Sequence, residues 1–408
     1  MNIHGVQTIT KAGERLTLRR LTYTAFIQFI RLISPLPSAN ARHANRLAFR
    51  AAIKSLRREL RLVSGQALRL LTNRNSGCSQ LDSTEIRSVL ICRVNGRLGN
   101  TLLLTPLIKR IHDALPNVDI DLALAYPKAQ ELLQGVPGIR RVIIFPHKSP
   151  NAVWRYLAAV HRLRAQRYDL AIDPTPDSTS GRVAVALART RYRLGFDTIS
   201  QWVPLTHPVV LPDESMHDAI RPVYLLCEGL GVQLDADDLR LWLPLLDHEL
   251  DAGRSAVAKV VSTADAAHPR SRVFGFFAHA AGIKIIDRAW WLAFWEAFST
   301  LEPDAIPVEF LSLSSGTCID PRFPSLSFKS PRAFAAAIAA TRMFIAPDTG
   351  PMHLASSTPV PTVGLFCGSD MLRYRPMKSS DVTIDVTLSS PRSIAERCSR
   401  GWREQQRA

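Results

Sequence analysis

The chain has 408 residues, 46% of them hydrophobic and 21% charged, and carries a formal net charge of +16. That length accommodates two ordinary domains plus an extension, and the apolar content excludes a largely disordered chain. No run of about 18 uncharged apolar residues occurs, so no spanning helix is expected, and Lys11, Glu14 and Arg15 interrupt any secretory signal core.

The charge is uneven. Residues 1–80 hold fourteen Lys or Arg against two acids, Glu14 and Glu59, so +12 of the +16 lies there. Phe26, Phe29, Ile30 and Ile33 recur in it at helical intervals, and Leu47, Ile53, Leu60, Val63 and Leu68 do so among Arg50, Lys54, Arg57, Arg58 and Arg61. Basic amphipathic helices of this kind suit an anionic membrane surface; a solvated helix packed on the body, or a poorly ordered tail, is the alternative. Nucleic acid is discounted, because aromatics are sparse and no binding motif is present. The six cysteines (Cys78, Cys92, Cys227, Cys318, Cys367, Cys398) show no metal or disulfide spacing and read as reduced cytosolic thiols.

After the polar segment 73–84, strands and helices alternate. Strands are expected at Val89–Val94, Ile120–Ala125, Val142–Phe145, Leu170–Asp173 and Tyr192–Gly195. Helices are expected at Thr101–Ala114, Ala129–Gly135, Val153–Arg167, Gly181–Ala188 and His217–Gly229. The Pro- and Leu-containing join 242–246 marks a boundary, after which the alternation restarts. Helices Glu249–Val261, Trp291–Leu301 and Ala333–Thr341 alternate there with strands Val273–Phe277, Val308–Leu313, Met343–Ala346, Pro361–Phe366 and Val382–Val386. Ile394–Arg407 reads as a polar terminal helix placed to cross back to the first half. The expected division is an extension over 1–84, doubly wound domains over 85–245 and 246–390, and a terminal helix over 391–408. A parallel sheet covered on both faces follows for each half, with the cleft between them as the ligand site.

The candidate chemistry centres on Pro347-Asp348-Thr349-Gly350-Pro351, a turn between a buried strand and an apolar helix. A helix opening at Thr349 or Gly350 presents unpaired N–H groups and its positive dipole end, and glycine lets a phosphate approach the backbone. The Thr349 hydroxyl and His353, one turn on, add donors, while Asp348 would accept from sugar hydroxyls; together these suit a sugar diphosphate. The alternative is that Asp348 and Thr349 merely cap the helix and His353 is a core histidine. In the first half, Arg97-Leu98-Gly99-Asn100 lies between strand and helix, where Asn100 either touches an acceptor or caps the helix. The loop 279–288 supplies Lys284 or Arg288 to balance a leaving diphosphate, Arg288 being the better placed by spacing.

These segments in this order resemble glycosyltransferase family 9, the ADP-heptose:lipopolysaccharide heptosyltransferases. They are RLGN-TLLLTPL (97–107), YDLAIDP (168–174), RLGFD (193–197), the aromatic helix after Arg288, and APDTGPMHLASS running to Phe366. The resemblance spans roughly residues 87–380. It implies a GT-B architecture, two Rossmann-like domains across a cleft, inverting transfer without a metal or cofactor, and a lipid-linked oligosaccharide acceptor. By that likeness Asp348 holds the heptose, and Thr349, Gly350 and His353 hold the diphosphate. Arg288 stands in for a phosphate-binding lysine and Lys329 lines the nucleotide, while Gly99, Pro351 and Met352 complete the substrate lining with Lys284. Two departures stand out. Asn100 occupies the position of the usual aspartate base, and an amide takes no proton at neutral pH, leaving Asp173 and Asp197 as candidates by position. Ser314-Ser315-Gly316-Thr317 replaces the acidic residue expected for the ribose. The resemblance implies a cytoplasmic enzyme, peripheral on the membrane, that transfers heptose from ADP-heptose to the lipopolysaccharide core or a related acceptor; a transferase using a different nucleotide sugar or acceptor, or a nucleotide-sugar-binding protein without transfer activity, is the alternative.

Overall fold

The computed structural model describes residues 80–407 apart from 116, 147–151, 199–202, 235–238, 263–272 and 312–316. The basic extension, up to residue 79, lies outside the described residues. Ser76–Asp197 and Leu205–Ala408 cluster as one unit.

Two parallel six-stranded sheets organise that unit. The first contains β1 (Ser88–Arg93), β2 (Asp119–Leu124), β3 (Ile139–Ile144), β4 (Arg167–Asp173), β5 (Arg189–Phe196) and β6 (His207–Val209), in the order β3-β2-β1-β4-β5-β6. The second contains β7 (Val273–Phe276), β8 (Ile306–Leu311), β9 (Ser325–Ser327), β10 (Met343–Pro347), β11 (Thr362–Phe366) and β12 (Val382–Asp385), in the order β12-β11-β10-β7-β8-β9. Read from its own first strand, each sheet has the same doubly wound order, reversing between β1 and β4 in one and between β7 and β10 in the other. Crevices open at the carboxyl ends of such reversals.

The strand centres are largely apolar because both faces are covered, although buried carboxylates interrupt two of them, Asp121 in β2 and Glu309 in β8. In β1, Val89 and Ile91 enter one core cluster while Leu90 and Cys92 enter the other. The second sheet is layered likewise, with Phe310, Phe344 and Phe334 on one side and Phe276, Trp291 and Trp295 on the other.

The helices are α1 (Leu98–Leu102), α2 (Thr105–Ala114), α3 (Ala129–Leu132), α4 (Ala152–Arg164), α5 (Thr179–Leu187), α6 (Ile220–Leu230), α7 (Asp247–Ser262), α8 (Arg288–Leu301), α9 (Pro331–Ile338), α10 (Gly350–Ser356), α11 (Met371–Tyr374) and α12 (Pro391–Arg407). The single helix expected over 101–114 is two. Pro106 lies in the first turn of α2, where its missing N–H costs nothing, and the Thr105 hydroxyl donates back to the Leu102 carbonyl at 2.7 Å. The terminal helix corrects another expectation. It packs on α8 through Ile394, Ala395, Cys398 and Trp402, and Ser399 and Arg403 donate to Glu302 at 2.5 and 2.8 Å. The second half, not the first, buries it.

The halves are tied by charge as well as by apolar packing. Arg332, buried in the first turn of α9, donates to the carbonyls of Leu132 and Gln134 in the first half. It also donates to Pro244 at the join and to Glu249 at 2.6 Å. Leu102 and Leu132 belong to the same core cluster as Phe310 and Phe344 of the second sheet.

Candidate active site

The carboxyl ends of β10 and β7 carry the chemistry on the second sheet. Asp348 follows β10 directly, is 3% exposed, and accepts a hydrogen bond from the Lys284 ammonium at 2.5 Å. Lys284 comes from the loop after β7 and remains 30% exposed, so its charge reaches the crevice. The Tyr374 ring lies 5.7 Å from the same ammonium. A carboxylate this buried needs such a partner.

The helix after Asp348 begins at Gly350, with Thr349 as its N-cap in extended backbone. The Thr349 hydroxyl donates to the Pro347 carbonyl at 3.0 Å and makes no cap bond. Pro351 removes one amide from the first turn, so the free donors there are fewer than the sequence pattern suggested. Met352 is fully buried in the core and lines no crevice, contrary to its expected place among the substrate contacts.

The first sheet meets this turn through α1. A Cβ built on Gly99 would lie 2.6 Å from the His353 ring, and one on Gly350 would lie 3.1 Å from Leu98. Glycine at both positions leaves room for the partner helix's side chain, the His353 ring over Gly99 and Leu98 over Gly350. His353 is 5% exposed, its Nε2 lies 3.8 Å from Asp348, and its Nδ1 has no hydrogen-bond partner. Burial pulls its pKa down to about 4 despite the nearby Asp348 charge, with His217, Lys284 and Arg93 adding to the drop. The imidazole is therefore neutral at pH 7. Asn100, the third residue of α1 and half-buried, does not cap the helix; that place belongs to Arg97.

Arg288 opens α8 with its side chain 62% exposed, donating to the Ile319 carbonyl at 2.5 Å and facing Asp320 at 3.5 Å. Lys284, not Arg288, makes the direct contact with the Asp348 turn. Lys329 is exposed, and its carbonyl accepts from Lys128 of the first half. The two substitute bases fare differently. Asp173 is fully buried against Arg182 at 3.0 Å, with burial raising its pKa to about 6, so its carboxylate is committed to the interior. Asp197 is exposed beyond the end of β5.

A second cluster was not signalled by any motif. Arg93, the last residue of β1 and 3% exposed, faces Asp218 at 3.5 Å. Asp218 also pairs with Arg221 at 3.2 Å and with Arg373 of α11 at 2.8 Å. Three guanidiniums around one carboxylate leave an excess of positive charge. Two Arg93 donors, Nε and Nη1, have no partner. The backbone repeats the link between halves: the Asp218 N–H donates to the Arg373 carbonyl at 3.0 Å and His217 Nε2 meets the Arg375 carbonyl at 2.8 Å. Only the position of Arg93 at the end of a buried strand could have pointed to this cluster. Among the described residues, no three His, Cys, Asp or Glu side chains group as a metal site.

Residues 327–401 match the family model of glycosyltransferase family 9 (heptosyltransferase). No curated protein sequence matches the chain. Among solved structures, a family 9 glycosyl transferase from Veillonella parvula aligns with TM-score 0.67 and 17% identity over 80% of this chain and 100% of its own. E. coli ADP-heptose LPS heptosyltransferase II aligns at 0.60 and 17%, over 79% and 100%. E. coli heptosyltransferase WaaC with ADP aligns at 0.58 and 15%, over 77% and 99%. The two reversed sheets are thus a GT-B fold, and the stretch holding Lys329, Asp348 and His353 carries the signature of glycosyltransferase family 9.

Proposed function

We propose that the protein is an inverting glycosyltransferase that moves heptose from ADP-heptose to a lipid-linked core oligosaccharide or a related acceptor. The observation carrying this reading is the buried Asp348 carboxylate paired with Lys284 at the reversal point of the second sheet, facing α1 of the first. An acceptor hydroxyl attacks the anomeric carbon as the nucleoside diphosphate departs, and the hydroxyl proton leaves to water. Lys284, the Gly350 amide and Arg288, once released from its contacts with Asp320 and Ile319, meet the charge growing on the diphosphate without calling on a metal. Preorganised donors of this kind are typically the largest catalytic contribution. Re-aiming Arg288 strands no charge, since the buried Asp320 keeps Arg322 at 3.0 Å. Asp348 accepts from the sugar hydroxyls, and the neutral His353 steadies it from behind. The unpartnered donors of Arg93 offer a further contact for an acidic group on donor or acceptor.

The likeness to a structure holding ADP supports the nucleotide, and a WaaC structure with ADP-2-deoxy-2-fluoro heptose supports the sugar. The same reading makes the protein cytoplasmic and peripheral on the membrane, where its acceptor resides. Incubation with ADP-heptose and a truncated core acceptor tests it: ADP release is expected, and none with any acceptor would refute transfer. Asn100 favours a second reading, a nucleotide-sugar-binding protein without transfer. A stability screen of ADP-, UDP- and GDP-sugars separates it, since binding raises thermal stability even where no ADP is released.

A further inference from the structure

Helix α4 presents an outer face with no counterpart in the chemistry above. Trp154 is 76% exposed and Leu157 52% exposed. With Ala158 and His161 they recur at helical spacing on one face, while Ala159 and Leu163 bury the other against the first sheet. Arg155 and Arg162 flank that outer stripe on one side and Arg164 on the other, all exposed. No acidic residue occurs between Glu131 and Asp169, whereas seven Lys or Arg do. That local charge exceeds the net charge of everything after residue 80. An exposed tryptophan with a leucine on a helix bordered only by arginines complements one partner: an anionic bilayer, whose headgroups meet the guanidiniums while the ring and leucine enter the acyl boundary.

We infer that α4 is a membrane-docking helix of the folded body, separate from the basic extension. Because α4 follows β3 and runs back to β4, its first turn, holding Trp154, lies at the carboxyl edge of the first sheet. Docking there brings the crevice mouth against the lipid surface.

Residues 1–80 contain no tryptophan, so the extension cannot contribute to a tryptophan signal. The full chain is mixed with phosphatidylglycerol vesicles carrying brominated acyl chains, which quench tryptophans that enter the bilayer. Quenching is expected for the wild type and its selective loss for Trp154→Leu, which stays bound. Trp154→Glu with Leu157→Glu is expected to weaken partition at least about 10-fold. Identical quenching in wild type and Trp154→Leu, or unchanged partition of the double variant, would overturn the assignment. Absence of quenching because α4 is covered by the extension or by a protein partner would overturn it equally.

Discussion

Gly99→Ala tests the crossing of α1 and α10 most sharply. The three nearest atoms to the added Cβ all belong to the His353 ring, at 2.6, 3.4 and 3.5 Å. The ring is 5% exposed, so it must push its neighbours to give way. Overpacking of this kind costs about 1–3 kcal/mol, while alanine recovers up to about 1 kcal/mol of helix propensity in α1. The expected net loss is about 1–2 kcal/mol. Urea midpoints of wild type, Gly99→Ala, His353→Ala and the double variant form a cycle. With the ring removed, the extra methyl should become neutral or stabilising. An equal cost in both backgrounds would show that the clash is not with His353 and refute the packing argument.

Arg332→Met should lower stability by about 3–5 kcal/mol, because Glu249 loses its partner and the carbonyls of Leu132, Gln134 and Pro244 lose a donor; denaturant unfolding reads it. Glu309 is fully buried on β8, and burial raises its pKa to about 7. A raised carboxyl favours the fold below its unfolded pKa, near 4.5, and loses that contribution as pH climbs to about 7, so the wild type should weaken against Glu309→Gln between pH 5 and 7 by up to about 3 kcal/mol. Parallel urea titrations at the two pH values check this, and parallel curves would contradict it. Lys284→Met should lower turnover at least about 10-fold and also reduce stability, since it strands the buried Asp348. Arg288→Ala should lower turnover comparably with little change in Tm, because its side chain is 62% exposed and Asp320 keeps Arg322 as a partner.

Much of the fold was legible because parallel sheets leave a strong imprint: β1, β10 and β11 are mostly apolar runs leading into polar turns. The Asp348 turn was readable for the same reason, since strand end, glycine and apolar helix are adjacent in sequence. Short elements such as β6, β9 and α11 have three or four residues, too few to show a period. Spacing favoured Arg288 over Lys284, but the side chain that reaches Asp348 depends on how the loop after β7 folds, which no local pattern encodes. The cluster around Asp218 was invisible for a deeper reason. Arg221 lies one turn from Asp218, but Arg93 comes from a distant strand of the first half and Arg373 from the second half, so the set assembles only in the folded chain. Met352 stood in the substrate lining by the family likeness, whereas its side chain packs in the core.

In the proposed function, the crevice at Asp348 and Lys284 grips a nucleotide sugar. Calorimetric titration of the full chain with ADP-heptose, alongside Asp348→Asn, tests it most directly. Saturable one-site binding by the wild type, weakened at least about 10-fold by the amide, is the predicted result. No binding at millimolar donor, or equal affinity in both proteins, would contradict it.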